Sequence, residues 1–208
     1  MSSTNKILRL YKSRKTILEL LRTDDYNVSD YDKFSINEID AMFTNDQLDM
    51  LIKHENEDKK TYIKYFLTSK QIRPQNLDNI IEDLFLVESV LTKNDTLIII
   101  IEEEPNETIL AKLQYLYSHD GIFVVIHNIQ RLQFNILSHS LVPKMKILKD
   151  SEVEDLKIKY NLKGTKQLPE IGRFDPMALA HSMRPGQVCL IERNSVTALN
   201  YNYYRVCV

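Results

Sequence analysis

Apolar residues recur at helical spacing at the start of the chain. Ile7, Leu10, Tyr11, Ile17, Leu18 and Leu21 share one face, while Lys12, Arg14, Lys15 and Arg22 fall on the other. The spacing predicts an amphipathic helix with a basic, outward face. Asp24–Lys33 is polar and reads as a loop. Ser35 and Glu38 stand at capping-box spacing, which places a helix over Ile36–Phe43. Thr44 and Gln47 repeat the spacing and predict a second short helix to about Ile52. His54–Lys60 has no apolar period, and Thr61–Thr68, rich in Tyr, Ile and Phe, reads as a strand. Leu77, Ile80, Ile81, Leu84 and Phe85 mark a helix running to about Ser89. Thr96–Ile101 is apolar at consecutive positions, as a strand covered on both faces would be. Ile109, Leu110, Leu113, Leu116 and Tyr117 form another helix, stopped at His119-Asp120-Gly121. Ile122–Ile126 and Leu132–Leu137 read as two more strands.

The alternation of strand and helix implies an α/β layered domain over residues 1–138. A second domain over residues 139–208 follows. In it Met145–Leu148 looks extended, and Ser151 with Glu154 has capping-box spacing for a helix to Tyr160. Asp175-Pro176 is a strong helix start, because Asp caps and Pro suits the first helical position. Arg184-Pro185-Gly186 turns the chain into a strand, Gln187–Arg193, and Tyr201–Val208 is a final strand. The fold class is therefore α/β, α+β overall.

Composition adds that the chain is globular: 208 residues, 43% hydrophobic and 27% charged, with net charge -2. The charge is unevenly divided, with a balance of +4 over residues 139–208 and -6 over 1–138. Neither half is basic enough to act as a strong free-standing nucleic-acid binder. The longest apolar runs, Leu97–Ile101 and Ile122–Ile126, are too short to cross a bilayer, and Met1–Leu10 lacks an apolar signal core. No membrane role is expected.

Candidate chemistry is thin. The five His, at 54, 119, 127, 139 and 181, are scattered, and the two Cys, 189 and 207, make neither a disulfide framework nor a zinc site. The four Gly are isolated, so there is no phosphate loop. A Mg²⁺-dependent nuclease needs clustered carboxylates with a Lys nearby. Glu102, Glu103 and Glu104 lie at a strand end, but no Lys stands two residues after any of them. Asp58-Lys59-Lys60 and Asp155-Leu156-Lys157 have the spacing, in a loop and on a helix respectively. No catalytic residue, metal site or cofactor is expected.

The last third carries a series of motifs: His139-Ser140-Leu141-Val142-Pro143-Lys144, then Gln167-Leu168-Pro169-Glu170-Ile171, Asp175-Pro176, Arg184-Pro185-Gly186-Gln187-Val188, Ser195-Val196-Thr197 and Tyr204-Arg205. In this order and spacing they resemble the fifth-largest, shared subunit of eukaryotic multisubunit DNA-directed RNA polymerases. The archaeal counterpart of that subunit is similar to the C-terminal part alone. At the start, Arg9-Leu10-Tyr11-Lys12 with Thr16 and Glu19 is similar to the eukaryotic subunit's opening helix. Ser195-Val196-Thr197 departs from the family's usual Ser-Glu-Thr. The Ile- and Asn-rich composition suits an AT-rich genome, such as that of a large DNA virus.

The resemblance implies a non-catalytic polymerase subunit. Its C-terminal domain, residues 139–208, would be a small two-layer α/β assembly module docking on the largest subunit. Its N-terminal domain, residues 1–138, would be a three-layer α/β/α jaw with a restriction-endonuclease-like mixed sheet, close to downstream duplex DNA. Partner-binding residues would be His139, Leu141, Val142, Pro143, Lys144, Leu168, Pro169, Asp175, Pro176, Arg193, Ser195, Thr197, Tyr204 and Arg205. Glu104 and Pro105 would lie near DNA. The location would be nuclear for a cellular protein, and the virion or host cytoplasm for a viral one. Two alternatives compete: a free adapter for transcription factors, and a metal-dependent nuclease.

Overall fold

The computed structural model describes residues 3–195 and 199–208, with side chains described over 5–194 and 199–208. Its contacts divide the chain into two units, Met1–Asn135 and Ile136–Val208. Each carries one four-stranded mixed sheet with helices, so the class is α+β.

The first unit opens with helix α1, Ser3–Thr23, which buries Leu10, Ile17, Leu18, Leu20 and Leu21. Arg14 departs from the outward basic face expected of it: only 3% of it is exposed. Its guanidinium donates to the Leu48 carbonyl at 2.9 Å and lies over the rings of Tyr31 and Phe34. Two aromatics and a backbone acceptor replace water here, and burial lowers the Arg14 pKa. Helix α2, Ile36–Thr44, starts at Ser35 with the expected reciprocal box, the Glu38 carboxylate accepting the Ser35 N–H at 2.7 Å.

The helix expected after Thr44 is instead a turn and a strand. Asp46 takes a left-handed backbone, φ 53°, which stops helical growth. Strand β1, Met50–Lys53, then pairs antiparallel with β2, Lys60–Tyr65, from Met50↔Ile63 to Lys53↔Lys60. Met50 and Ile52 point inward at period two, a pattern too short to separate from helical spacing by sequence alone.

From β2 the chain crosses over through α3, Pro74–Ile81, and a π-helical turn, Glu82–Val87, into β3, Thr96–Ile101. It crosses again through α4, Glu107–Tyr115, and a second π turn, Leu116–Asp120, into β4, Phe123–Asn128. Gly121, φ 72°, ends that turn as a left-handed cap. Strands β2, β3 and β4 are parallel neighbours, in sheet order β1-β2-β3-β4. All residues of β3 and β4 are buried, as the unbroken apolar runs require. Leu132–Leu137 forms no strand. Instead there are 3-10 turns at Arg131–Gln133 and Ile136–Ser138; at the first, Asn128 accepts the Gln130 N–H and the Gln133 amide donates to the Arg9 and Ile129 carbonyls.

The second unit has sheet order β5-β7-β8-β6. Strand β5, Lys144–Ile147, is followed by α5, Asp150–Tyr160. This helix begins before Ser151: Glu152, not Glu154, closes the cap by accepting the Lys149 N–H at 2.9 Å, and also takes the Lys146 ammonium. A two-residue strand β6, Glu170–Ile171, precedes α6, Pro176–Ala180, whose cap Asp175 accepts the Met177 N–H at 2.9 Å. The long strands β7, Val188–Ser195, and β8, Leu199–Cys207, pair antiparallel throughout.

Candidate functional site

The β7–β8 pair is longer than its flanks. Strand β5 reaches β7 only from Cys189 to Glu192, and β6 touches β8 only at Val206 and Cys207. The pairs Arg193↔Tyr201, Asn194↔Asn200 and Ser195↔Leu199 therefore extend beyond any third strand.

Period-two alternation sorts the residues of this pair. One face carries Cys189, Ile191 and Cys207, packed with Ile171, Ala178 and Met183. The opposite face carries Val188 and Val206, packed against Leu156 of α5, with Leu168 and Tyr204 at the edge. On the first face the core passes outward into a different chemistry. Tyr203 borders the core, and Arg193 and Arg205 lie over its ring at 5.2 and 5.1 Å. Tyr201 is 6.4 Å from Tyr203 and exposed. The outcome is a Tyr/Arg platform on ordered backbone. Each cation–π contact contributes about 0.5–1 kcal/mol when exposed.

The other expected partner-binding residues lie elsewhere in the second unit. His139 is exposed and its Nδ1 accepts the Leu141 N–H at 3.2 Å. Leu141 is 86% exposed, while Val142 and Pro143 are half-buried. Lys144 opens the edge strand β5, opposite Glu192. Leu168 belongs mostly to the internal packing, and the Pro169 carbonyl accepts the Val206 N–H at 2.9 Å. Asp175 and Pro176 are exposed and start α6. Tyr204 meets Tyr160 edge-on at 5.9 Å, and Arg205 donates to the Glu170 carbonyl at 3.2 Å. The side chain of Ser195 and the whole of Thr197 lie outside the described residues. Sequence reasoning misses Tyr201 and Tyr203 as binding residues. Their signal is the alternation Tyr201, Tyr203, Arg205, which puts all three on one face.

Cys189 and Cys207 are buried free thiols. Burial raises both, Cys207 to about 11, so near neutral pH neither is a nucleophile.

In the first unit, Glu104 accepts from the Arg131 guanidinium at 2.7 Å, and Pro105 beside it is half-buried. Glu103 faces Lys70 at 4.0 Å and accepts from Gln71. Among the described residues no group of three or more His, Cys, Asp or Glu side chains could hold a metal ion. His127 of β4 is buried with no hydrogen-bond partner for Nε2, and burial, with Arg131 nearby, pushes its pKa down to about 4. No helix among the described residues is long and apolar enough to cross a membrane.

Comparison with known proteins gives consistent results. The model of the RNA polymerase Rpb5 C-terminal domain matches residues 134–207. The DNA-directed RNA polymerase subunit Rpo5 of Thermococcus onnurineus is 45% identical over 76 residues, 36% of this chain and 92% of the relative. The Dictyostelium discoideum subunit rpabc1 of DNA-directed RNA polymerases I, II and III is 27% identical over 204 residues, 97% of this chain and 98% of that one. Subunit 5B of DNA-directed RNA polymerases IV and V of Arabidopsis thaliana is 26% identical over 205 residues, 96% of this chain and 89% of the relative.

Proposed function

This chain belongs to the Rpb5/Rpo5 family of DNA-directed RNA polymerase subunits, and on that premise we propose that it docks on the polymerase's largest subunit through its second unit. It serves transcription as a non-catalytic subunit. The observation that carries the docking surface is the Tyr/Arg platform of Arg193, Tyr201, Tyr203 and Arg205, which runs from the flanked part of β7–β8 onto its projecting end. Tyr and Arg are enriched at interface hot spots, Tyr bringing large area at small entropy cost and Arg several donors in a planar fork. The exposed Leu141 and the edge strand β5 add apolar area and free backbone groups to the same unit. The match of a relative only slightly longer than 76 residues supports a unit of this size being enough for assembly.

The first unit, in this reading, is a jaw beside downstream duplex, with Glu104-Pro105 facing it. Its guidance is steric. Glu104 is a poor phosphate contact, and its pairing with Arg131 takes up a cation that would otherwise face DNA. Eukaryotic relatives support a nuclear location for a cellular protein.

The test uses the full chain with Arg193→Ala and Tyr201→Ala together, co-expressed with the largest subunit and followed by affinity capture. Recovery of the pair should fall at least about tenfold, the scale of losing one or two hot spots. Thermal stability of the free chain should hardly change, since both side chains stand outside the core. Undiminished capture would remove the platform from the interface.

A further inference from the structure

Two parallel crossovers place α3 and α4 side by side on one face of the first sheet. Both run β2-α3-β3 and β3-α4-β4 between adjacent parallel strands, and right-handed crossovers in one direction stack on one side. The contact is direct, with Lys112 of α4 reaching Asp78 of α3 at 2.9 Å. Their C-terminal ends therefore lie together, and both end in π-helical turns, Glu82–Val87 and Leu116–Asp120. Such turns are rare and recur where a helix presents residues for function.

This end of the helix pair is apolar and acidic. Leu86 and Val87 are 72% and 71% exposed, adjacent in sequence and outside the core. On α4, exposed Tyr115 stacks on His119 at 4.3 Å. Around them stand Glu82, Asp83 and Glu88, all exposed, with Asp120 at the end of the second turn, where the Lys93 side chain lies against Gly121. The described ion pairs include none of Glu82, Asp83 and Glu88. Carboxylates at a helix C-terminus meet the negative end of the macrodipole, where cations are the favoured occupants. Intramolecular stability therefore does not explain the charge.

The apolar pair is also held in place. The Glu88 N–H donates to the Asp83 carbonyl at 2.8 Å, the Val90 and Leu91 N–H groups converge on the Leu84 carbonyl, and the Ser89 hydroxyl donates to the Leu86 carbonyl. Ser89 takes a left-handed backbone, φ 50°, to turn the chain away beneath the patch. A pre-ordered surface loses little entropy on binding.

We propose that the paired C-terminal ends of α3 and α4 form a docking surface for a basic amphipathic polypeptide segment of another protein. Apolar side chains of that segment cover Leu86, Val87 and Tyr115. Its Lys and Arg residues meet Glu82, Asp83 and Glu88 at the end of α3. The negative charge excludes nucleic acid as the occupant. The surface is separate from the platform on β7–β8 and does not depend on it.

The experiment uses the full ¹⁵N-labelled chain and a fluorescent Leu/Lys helical peptide of about 18 residues, long enough for five turns. A Leu/Glu peptide of the same pattern is the control, and ionic strength is set at about 0.15 M so that only near charges act. Expected are amide shifts clustered at 82–90 and 115–121. Affinity should fall at least about tenfold in Leu86→Ser/Val87→Ser and again in Glu82→Lys/Glu88→Lys, and the Leu/Glu peptide should not bind. The charge pair is exposed, so it keeps the test decisive should the apolar pair alter folding. Shifts elsewhere, affinity within about twofold in both variants, or equal binding of the Leu/Glu peptide would each overturn the proposal. So would sedimentation showing that Leu86 and Val87 join two copies of this chain.

Discussion

Strand β3 and strand β8 are both interior to their sheets, yet they differ in almost every side chain. Strand β3 runs Thr96–Ile101 with all six residues buried. Strand β8 runs nine residues, of which only Val206 and Cys207 are buried, and the rest include three Tyr, an Arg and two Asn that are exposed or half-exposed. Burial asks a strand only for apolar volume, which Ile, Leu or Val supplies almost interchangeably. An ordered strand that keeps Tyr and Arg at its surface is held for what it touches. Strand β3 thus spends its whole pattern on its own core, while β8 leaves most of its side chains at the surface, where the proposed docking would use them.

The largest expected effect lies in the first unit's core. Ile99→Ala, at a fully buried position, should cost about 2–5 kcal/mol of folding stability through lost transfer energy and a cavity. Urea unfolding followed by amide signals should show the loss in the first unit. Capture by the largest subunit should persist, because the platform stands on the other sheet. Loss of capture in step with unfolding would break the comparison.

Leu141→Glu should do the reverse. With most of Leu141 exposed, folding stability should move by no more than about 0.5 kcal/mol. Capture should weaken at least about tenfold, because a charge would be buried at the contact. Binding equal to that of the unaltered chain would take Leu141 out of the interface.

Acid should sharpen the contrast a little less. His127 is held neutral in the first unit, with its pKa moved from 6.5 to about 4 by burial. Below pH 6.5 the unfolded chain binds a proton that the folded chain refuses. Stability is therefore full above that pH and falls as pH drops towards about 4. Between pH 7 and 5.5 the loss should be about 1 kcal/mol. Denaturant titrations at the two pH values measure it, and His127→Gln should flatten the difference. An unchanged slope in that variant would assign the pH dependence to other groups.

The smallest effect is expected at Glu104. Glu104→Lys breaks an exposed pair with Arg131, worth no more than about 1 kcal/mol, and leaves two cations side by side. Within assembled polymerase, downstream DNA contact should tighten, and its logarithmic salt slope should steepen by about one unit or less per phosphate met. An unchanged slope would mean that this loop does not face DNA.

Much of this contrast is legible along the chain. Consecutive apolar residues mark β3 and β4, and the Ser35 and Asp175 caps mark their helices, because both signals are local. Three features are hidden for physical reasons. Strand β1 is four residues long and gains its identity from pairing with β2, which lies beyond any short window. Arg14 is buried by aromatics from Tyr31 and Phe34, distant in sequence, so its charge points the wrong way. The segment Leu132–Leu137 alternates like a strand, but Asn128 turns the chain just before it by accepting the Gln130 N–H, and the Gln133 side chain is tied back to the Ile129 carbonyl. For the site, motif resemblance locates the hairpin, while the shared face of Arg193, Tyr201, Tyr203 and Arg205 needs the register of β7 on β8.

The most direct measurement supplies residues 136–208 and residues 1–135 as separate polypeptides to a polymerase assembly that lacks this subunit. Assembly should be restored by residues 136–208 alone, with the largest subunit co-purifying, and residues 1–135 should neither assemble nor compete. Assembly by residues 1–135, with residues 136–208 left unbound, would contradict the division of labour between the two units.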